Sequence, residues 1–327
     1  MSAGSKRIVG MVVRITSALV GTVCVSVGAL AADAGASRAQ RLPPDTLLGS
    51  GPYPAIMEQV PGLPDHTVYR PRDLGALGDH LLPIVAWANG GCSNNGAGFR
   101  WFLSEVASYG FLVVANGAIG PDPRPILSAL PPRMPPIDAS KLPPPATHTS
   151  QLIDAISWAV AENDRADSPL HGRLAVTKIA VMGQSCGGVQ AIEASRDLRV
   201  TTTMVWNSGL LPQPTHMAGG KLMDKGDLAT LRAPVAYISG DAQDVAYPNA
   251  NDDFARLTRI PVFRAYERGV PHIGTYFEPN GGEFGGVAVA WLLWQLDGDR
   301  TAGRMFTGSY CGLCVNPRWV VHRKNLP

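Results

Sequence analysis

A serine between glycines is the feature of this sequence that most directly suggests chemistry. Ser185 lies in GQSCGG (residues 183–188), which follows the apolar run KIAVM and precedes a stretch with helical spacing. In a tight turn from strand to helix, glycines avoid collisions while the central hydroxyl projects beside the helix N-terminus. The string alone is weak evidence, because a plain turn with an N-cap serine reads the same way. Its place directly after a strand pattern makes Ser185 the candidate nucleophile.

The candidate base is a histidine, because a serine hydroxyl is a poor nucleophile until a base removes its proton. Of the seven histidines, His272 follows the last strand pattern before the final long helix, in GVPHIG (residues 269–274). A loop at this point can reach back over the sheet edge where Ser185 is expected. His216, in a loop rich in proline and glycine, is the second candidate for the base.

The candidate acid is an aspartate after the preceding strand pattern, where SGDAQDVAYP (residues 239–248) contains two. The acid fixes the imidazole tautomer and stabilises the imidazolium ion that forms during the reaction. Asp244 is favoured because it lies far enough into the turn to face the histidine loop. Asp241 is the alternative, although it is also suited to capping the turn through its own backbone.

Backbone amides at two turns are candidates for an oxyanion hole, which stabilises the negative charge of a tetrahedral intermediate. One donor is expected from Cys186, directly after the serine, and the second from Gly91 or Cys92, after the apolar run LLPIVAWA. A simple glycine turn is the alternative interpretation of the latter. Because Cys92 and Cys186 then border one site, we expect them to form a disulfide. A cysteine nucleophile is disfavoured, since Cys186 is one position away from the apex of the turn.

The N-terminus indicates export, which in turn bears on the remaining cysteines. Basic residues precede an apolar stretch at 15–30 that ends in Ala-Leu-Ala, so residues 1–31 resemble a secretory signal peptide. A membrane anchor is the alternative, but this stretch is shorter than the roughly 20 residues that span a bilayer. Cleavage near Ala31 predicts a secreted or periplasmic protein without a stable membrane anchor. Cys311 and Cys314 are then expected to form a short-loop disulfide, because a zinc site requires a second pair of ligands.

The composition excludes a mainly disordered chain and a basic nucleic-acid-binding protein. Hydrophobic residues make up 45% and charged residues 17% of the 327 positions, which is enough apolar material for a full core. Of the 28 basic residues, three precede the expected cleavage site, which leaves 25 against 26 acidic residues. No run rich in lysine or arginine is present, so no nucleic-acid partner is expected.

Alternating strand and helix patterns predict an α/β fold. The strand patterns are short continuous apolar runs, which are typical of a parallel sheet covered on both faces. We therefore expect a three-layer αβα sandwich with a mostly parallel sheet, in which functional groups collect at the carboxyl ends of the strands. Strands are predicted at residues 66–70, 81–88, 111–115, 178–182, 202–206, 234–238 and 261–266, and helices at residues 99–107, 149–160, 186–195, 252–257 and 287–296.

The predicted organisation places one domain after two N-terminal segments. The signal peptide (1–31) is followed by an arm (32–62) rich in glycine, proline and alanine, and then by a single α/β domain (63–327). Within the domain, a loop at 121–146 contains ten prolines in 26 positions. Regular helices and central strands do not tolerate that density, so this segment is expected to be an ordered irregular loop or a mobile flap.

Together these segments resemble the α/β-hydrolase superfamily, and within it secreted serine esterases of the dienelactone hydrolase, chlorophyllase and polyester-hydrolase type. The matching segments are PIVAWANGGC, FLSEVASYGFLVVANG, KIAVMGQSCGGVQAIEAS, VAYISGDAQDVAYPNA, the PHIGTY loop and the AWLLWQLDGD helix. The serine, aspartate and histidine occur in the chain order that this fold requires. Carried over residue by residue, the resemblance implies Ser185, Asp244 and His272 as a catalytic triad and the amides of Cys186 and of Gly91 or Cys92 as the oxyanion hole. It implies no metal and no organic cofactor.

The expected function is that of an exported serine hydrolase, which cleaves carboxylic esters through an acyl-enzyme. Its expected partner is a small-molecule or polymeric ester substrate. Other functions stay open from the sequence. They are an acyltransferase or a peptidase or amidase on the same scaffold, and a catalytically silent binding protein that retains the fold.

Overall fold

The structure is a computed structural model that describes residues 48–123, 125, 129–131 and 133–327. The predicted signal peptide (1–31) and the first part of the predicted arm (32–47) lie outside the described residues. The later part of the arm carries the first strand, β1 (Ala55–Glu58), which pairs with the second strand of the sheet. Among the helices of the described ranges, none combines the length and the hydropathy needed to cross a bilayer.

One nine-stranded sheet organises this part of the chain. The strands after β1 are β2 (His66–Pro71), β3 (Leu82–Ala88), β4 (Leu112–Asn116), β5 (Leu174–Gln184), β6 (Val200–Trp206), β7 (Val235–Gly240), β8 (Val262–Glu267) and β9 (Trp319–Lys324). Their order across the sheet is β1-β2-β4-β3-β5-β6-β7-β8-β9. Neighbours from β4 to β8 pair in parallel, whereas β1, β2 and β9 pair antiparallel at the two edges. The predicted α/β class with a mostly parallel sheet is confirmed.

Helices cover both faces of the sheet, which explains the continuous apolar strand patterns. The helices are α1 (Arg100–Ser108), α2 (Thr149–Asp164), α3 (Cys186–Ala194), α4 (Tyr247–Arg256), α5 (Gly282–Asp297), α6 (Arg300–Gly303) and α7 (Gly312–Val315). On β3, Val85 and Trp87 belong to an apolar cluster with residues of α1 and α5. Ile84 and Ala86, between them, belong to a second cluster with residues of α2 and α3. Both sets of side chains on the strand are buried, so neither set is polar.

The sheet edges and the starts of two helices differ from the expectation. The sequence patterns do not reveal β1 or β9, because edge strands are partly exposed and lack a continuous apolar run; β9 buries one residue in six. Helix α4 begins at Tyr247 rather than at residue 252, since Pro248 occupies the first turn, where a missing N–H costs no hydrogen bond. Helix α5 begins at Gly282 rather than at residue 287, because glycines interrupt the apolar spacing of its first turns.

The parallel strands bring the predicted site residues to one edge of the sheet. β3, β5, β7 and β8 run in the same direction, so their carboxyl ends lie together. The segments that carry Cys92, Ser185, Asp244 and His272 each follow one of these ends. The topology therefore gathers residues that are as much as 180 positions apart in the chain.

Candidate active site

Ser185 occupies a strained turn between β5 and α3. Its φ is +54° and its ψ is −117°, a region of backbone space that residues other than glycine rarely adopt. The Ser185 N–H donates to the Trp206 carbonyl (2.9 Å), and the Ser208 hydroxyl donates to the Ser185 carbonyl (2.6 Å). Two hydrogen bonds with the end of β6 thus hold the turn in this conformation.

Close packing around the turn explains two of the glycines beside the serine. A Cβ atom on Gly187 would collide with the carbonyl oxygen of Ala88, at the end of β3. A Cβ atom on Gly188 would collide with the Ser208 side chain, in the segment after β6. Glycine at these positions allows the first turn of α3 to lie against both neighbouring strand ends.

The three predicted triad side chains converge within hydrogen-bonding distance. His272 Nε2 lies 2.9 Å from Ser185 Oγ, and His272 Nδ1 lies 2.6 Å from Asp244 Oδ1. His272 and Asp244 are both buried, at 6% and 1% exposure. A carboxylate only accepts, so the contact assigns the imidazole proton to Nδ1 and leaves Nε2 to accept from the serine hydroxyl. This arrangement suits proton transfer from Ser185 to His272.

The alternative acid and the alternative base lie in other positions. The Asp241 carboxylate accepts from the backbone N–H groups of Gln243 (3.0 Å) and Gly269 (2.8 Å). It therefore joins two loops and caps its own turn. The His216 side chain is exposed. The group from its loop that lies near the serine is the Met217 carbonyl, which faces the sulfur atoms of Cys92 and Cys186. Asp244 and His272 are thus the acid and the base that the geometry brings to Ser185.

The Asp244 carboxylate is surrounded by hydrogen-bond donors. Its Oδ1 atom accepts from the Ala246 N–H (2.9 Å) in addition to the imidazole, and its Oδ2 atom accepts from Asn207 Nδ2 (2.8 Å) and from the Gly240 N–H (3.2 Å). Four donors satisfy the buried negative charge and fix the plane of the carboxylate. The acid is therefore held in one orientation toward His272.

Asn207 is a component of the site that the sequence analysis does not identify, and Tyr276 is its hydrogen-bond partner. Asn207 follows β6 with a φ of +40°, and its Oδ1 atom accepts a hydrogen bond from the Tyr276 hydroxyl. Burial, with a smaller contribution from the Asp244 charge, raises the pKa of Tyr276 well above its ordinary value, so the hydroxyl stays protonated and donates. This bond fixes which end of the Asn207 amide faces Asp244. The only sequence signal is a polar residue directly after an apolar strand.

A buried arginine places positive charge near the acid. Arg264 on β8 is fully buried, and its Nη1 and Nε atoms donate to the Ala265 carbonyl (2.7 Å) and to Asn251 Oδ1 (3.1 Å). Burial lowers the pKa of Arg264 to about 10, and the negative charge of Asp244 opposes that shift. Because this value is well above 7, the guanidinium is charged at neutral pH and offsets the charge of Asp244.

Buried amide side chains position the loops that carry the base and the expected oxyanion donors. Gln184 Nε2 donates to the His272 carbonyl (3.0 Å), which ties the histidine loop to the end of β5. The two N–H groups of Asn89 Nδ2 are shared among the carbonyls of Ser93 (3.0 Å), Asn95 (3.1 Å) and Asn116 (2.7 Å). Asn89 thus closes the turn at residues 90–92 against the neighbouring strand.

The expected oxyanion donors lie next to one another. The N–H of Cys186 is in the first turn of α3, where a helix offers no internal acceptor. A disulfide joins Cys92 to Cys186 with a Cα–Cα distance of 5.3 Å, and Gly91 and Cys92 adopt φ values of +62° and +49°. The predicted pairing is confirmed, and Cys311–Cys314 forms the second predicted disulfide. The choice between the Gly91 and Cys92 amides as second donor stays a prediction.

Comparison with known proteins does not indicate a function for this site. No protein-family model matches the chain, and no curated protein matches it significantly. Within the described ranges, no group of three or more His, Cys, Asp or Glu side chains is arranged to hold a metal ion. The geometry around Ser185, His272 and Asp244 is therefore the observation that bears on function.

Proposed function

We propose that this protein is a serine hydrolase of the α/β-hydrolase type that cleaves carboxylic esters. The observation that carries the proposal is the continuous hydrogen-bonded path from Ser185 Oγ to His272 Nε2 (2.9 Å) and from His272 Nδ1 to Asp244 Oδ1 (2.6 Å). The strained backbone at the serine and the parallel strands that end at the site support the same conclusion. Strain at a functional residue persists only where the surrounding structure enforces it.

Acylation begins with attack of Ser185 on the ester carbonyl. The hydroxyl oxygen forms a bond to the carbonyl carbon while His272 Nε2 takes the hydroxyl proton, and the carbonyl electron pair moves onto oxygen. The amides of Cys186 and of Gly91 or Cys92 stabilise that oxyanion. When the carbonyl re-forms, the bond to the alcohol oxygen breaks. The alcohol leaves with the proton that His272 returns, and the acyl group remains on the serine.

Deacylation repeats the same steps with water as the nucleophile. His272 takes a proton from the water as its oxygen bonds to the acyl carbon, and the second tetrahedral intermediate uses the same oxyanion donors. Breaking the bond to the serine oxygen releases the carboxylic acid, and His272 returns the proton to Ser185. Asp244 stays ionised throughout and stabilises the imidazolium in both halves of the reaction.

Export is part of the proposal. Two disulfides in one chain are typical of an oxidising compartment. The charged and apolar pattern of residues 1–31 supplies a route to that compartment. We propose that the mature protein is secreted or periplasmic, which N-terminal sequencing of the protein recovered from the culture medium or periplasm tests directly.

Probe labelling combined with hydrolysis assays tests the activity. We expect a fluorophosphonate probe to label the wild type and p-nitrophenyl esters to be hydrolysed, and we expect Ser185→Ala to abolish both. The loss of kcat should be on the order of 10⁶-fold for Ser185→Ala and about 10⁴-fold for Asp244→Asn. A matched p-nitroanilide separates ester from amide cleavage, and added alcohols reveal acyl transfer. A folded wild type that neither labels nor turns over any ester contradicts the proposal.

A further inference from the structure

A small apolar pocket beside Ser185 suggests which part of an ester this site selects. The pocket has a volume of about 10 Å³, which is room for about one water-sized or methyl-sized group. Its wall includes Ser185 itself, and its apolar lining comes from α3, from the segments after β6 and β7 and from the proline-rich loop: Ile137, Val189, Leu211, Met217 and Ala246. We propose that this pocket binds the acyl group of the substrate, and that Ile137 limits the acyl group to about two carbons.

The position of His272 distinguishes the acyl side from the alcohol side. The alcohol oxygen must face His272 Nε2, because it receives its proton there. Ser185 lines the pocket, whereas His272 is outside its wall among the described residues. The substituent on the other side of the carbonyl, which is the acyl chain, is therefore the part of the ester that the pocket receives. This inference depends on the proposed esterase activity and adds a substrate class to it.

Ile137 belongs to the walls of this pocket and of two larger clefts. One cleft has a volume of about 320 Å³ and a wall that includes Leu211, Asn249 and Asp244, and the other has a volume of about 430 Å³. Leu211 and Asn249 line both the small pocket and the 320 Å³ cleft. Shortening the Ile137 side chain is therefore expected to join the small pocket to space that can hold a longer chain.

The local structure around Ile137 keeps this wall in place. Two prolines, Pro135 and Pro136, precede it and restrict the backbone. Asp138 follows and caps a short 3-10 turn by accepting from the Ser140 N–H (3.1 Å). The half-buried Ile137 side chain packs against the apolar cluster that contains Cys186 and Val189. A wall that is restrained by its own backbone can discriminate between chain lengths.

The two ends of the proline-rich loop are also attached to the body of the protein. At its start, Asn95 Nδ2 donates to the Pro121 carbonyl (2.9 Å). At its end, the fully buried Gln190 donates from Nε2 to the Thr147 carbonyl (2.7 Å) and to the Met217 carbonyl (3.1 Å). Gln190 belongs to α3, the helix that begins beside Ser185. Gln190 therefore ties the end of the loop to the helix that begins beside the nucleophile.

Two ester series measured on the same protein test the proposal. In the acyl series, from p-nitrophenyl acetate to octanoate, we expect the wild type to prefer acetate and to lose roughly tenfold or more in kcat/KM once the chain exceeds the pocket. We expect Ile137→Ala to raise the octanoate-to-acetate ratio of kcat/KM by roughly tenfold or more, and Ile137→Val to raise it less. In the alcohol series, from ethyl to octyl acetate, we expect both variants to behave as the wild type.

Leu142→Ala is the matched control for these measurements. Leu142 lies in the same loop and packs against the same apolar cluster, but it is outside the pocket wall, so its truncation should leave the acyl profile unchanged. A wild type that prefers octanoate, an Ile137→Ala ratio equal to that of the wild type, or a change confined to the alcohol series would overturn the proposal. Absence of hydrolysis and probe labelling at every chain length would instead refute the proposed function itself.

Discussion

Asn207 Nδ2 donates a 2.8 Å hydrogen bond to Asp244 Oδ2, the carboxylate oxygen that does not contact the imidazole. The two residues follow different strands, β6 and β7, so the bond joins two strand ends directly behind the base. On its other side, the Asn207 amide accepts from Tyr276, whose pKa is raised by burial. The acid is therefore held from behind by a residue with no role in proton transfer.

Replacing Asn207 should lower turnover while leaving the fold intact. Hydrogen bonds to charged groups contribute about 1.5–3 kcal/mol, and Asn207→Ala removes one from the Asp244 carboxylate. We expect kcat to fall roughly tenfold to hundredfold, with a smaller loss for Tyr276→Phe, which removes only the donor behind the amide. Steady-state kinetics with an ester that the wild type hydrolyses provide the measurement.

Asn207→Gly serves as the control for backbone strain in that experiment. Asn207 has a φ of +40°, which alanine adopts less readily than asparagine or glycine. If the missing amide lowers turnover, the glycine variant should be impaired as strongly as the alanine variant. Recovery of wild-type kcat in the glycine variant would contradict a positioning role for the Asn207 side chain.

Gly187→Ala should disrupt the turn that presents Ser185. The added Cβ atom would collide with the backbone oxygen of Ala88, which cannot move without displacing β3. We expect a loss of stability on the order of 1–3 kcal/mol, as for overpacked cores, and loss of probe labelling. Gly286→Ala is the matched control, because Gly286 lies within α5 and is exposed to solvent, with open space where a Cβ atom would lie. It should be neutral or stabilising by about 0.5–1 kcal/mol, because alanine favours helix.

The candidate triad can be predicted from the sequence because its signals are local. Ser185, Asp244 and His272 each follow an apolar strand pattern, and parallel topology forces such positions to one edge. The preference for Asp244 over Asp241 also agrees with the contacts, since a residue deeper in the turn reaches the histidine loop. No detailed knowledge of packing was needed for these residues.

The supporting residues could not be predicted because their roles depend on tertiary placement. Asn207 differs from any other loop asparagine only in lying beside Asp244 and Tyr276, which the sequence separates by 37 and 69 positions. Ile137 is one apolar residue among many prolines, and its relation to Ser185 depends on how the loop crosses the sheet edge. The edge strand β9 has no clear sequence signal for another reason. It is a half-exposed antiparallel strand, and such strands lack a continuous apolar pattern.

The Cys92–Cys186 disulfide should support both stability and turnover, unlike its counterpart near the C-terminus. The bond links cysteines that are 94 residues apart, and by reducing the entropy of the unfolded chain it should stabilise the fold by roughly 4–5 kcal/mol. The bond between Cys311 and Cys314 links cysteines that are 3 residues apart, and the same effect is then about 2 kcal/mol. The Cys92–Cys186 bond also holds two expected oxyanion donors side by side. We therefore expect the C92A/C186A double variant to lose stability and roughly tenfold to hundredfold in kcat.

The C311A/C314A double variant is the control for the disulfide prediction. Its cysteines pack in the apolar cluster with α1 and α5, whereas Cys92 and Cys186 belong to a different cluster. We expect it to lose less stability in denaturant titrations and to keep the kcat of the wild type. Equal losses of kcat in the two double variants would contradict a specific role for the bond beside Ser185.

The free energy of unfolding should depend on pH through a buried aspartate in α4. Asp253 accepts from Lys225 Nζ (2.6 Å) and from the Leu210 N–H (2.8 Å), and it is fully buried. Burial raises the pKa of Asp253 to about 6, although the nearby Lys225 acts in the opposite direction. An unfolded aspartate titrates near 3.9, so between about pH 4 and pH 6 the folded state holds the proton more tightly. The stability that this proton contributes is present at about pH 4 and is lost as the pH rises through about 6.

Urea unfolding of the wild type and of Asp253→Asn from pH 4 to pH 7 measures this effect. The free energy of unfolding of the wild type relative to the variant should fall by roughly 3 kcal/mol over that range. The pKa values of Asp253 in the folded and unfolded chains differ by about two units, and each unit corresponds to about 1.4 kcal/mol. Asp252→Asn is the matched control. Hydrogen bonds from Lys225 and Arg256 lower the pKa of Asp252, so the stability that its charge contributes is lost only as the pH falls below about 4. The difference between the wild type and this variant should therefore stay nearly constant from pH 4 to pH 7. A difference between wild type and Asp253→Asn that stays constant from pH 4 to pH 7 would show that Asp253 titrates alike in the folded and unfolded chains.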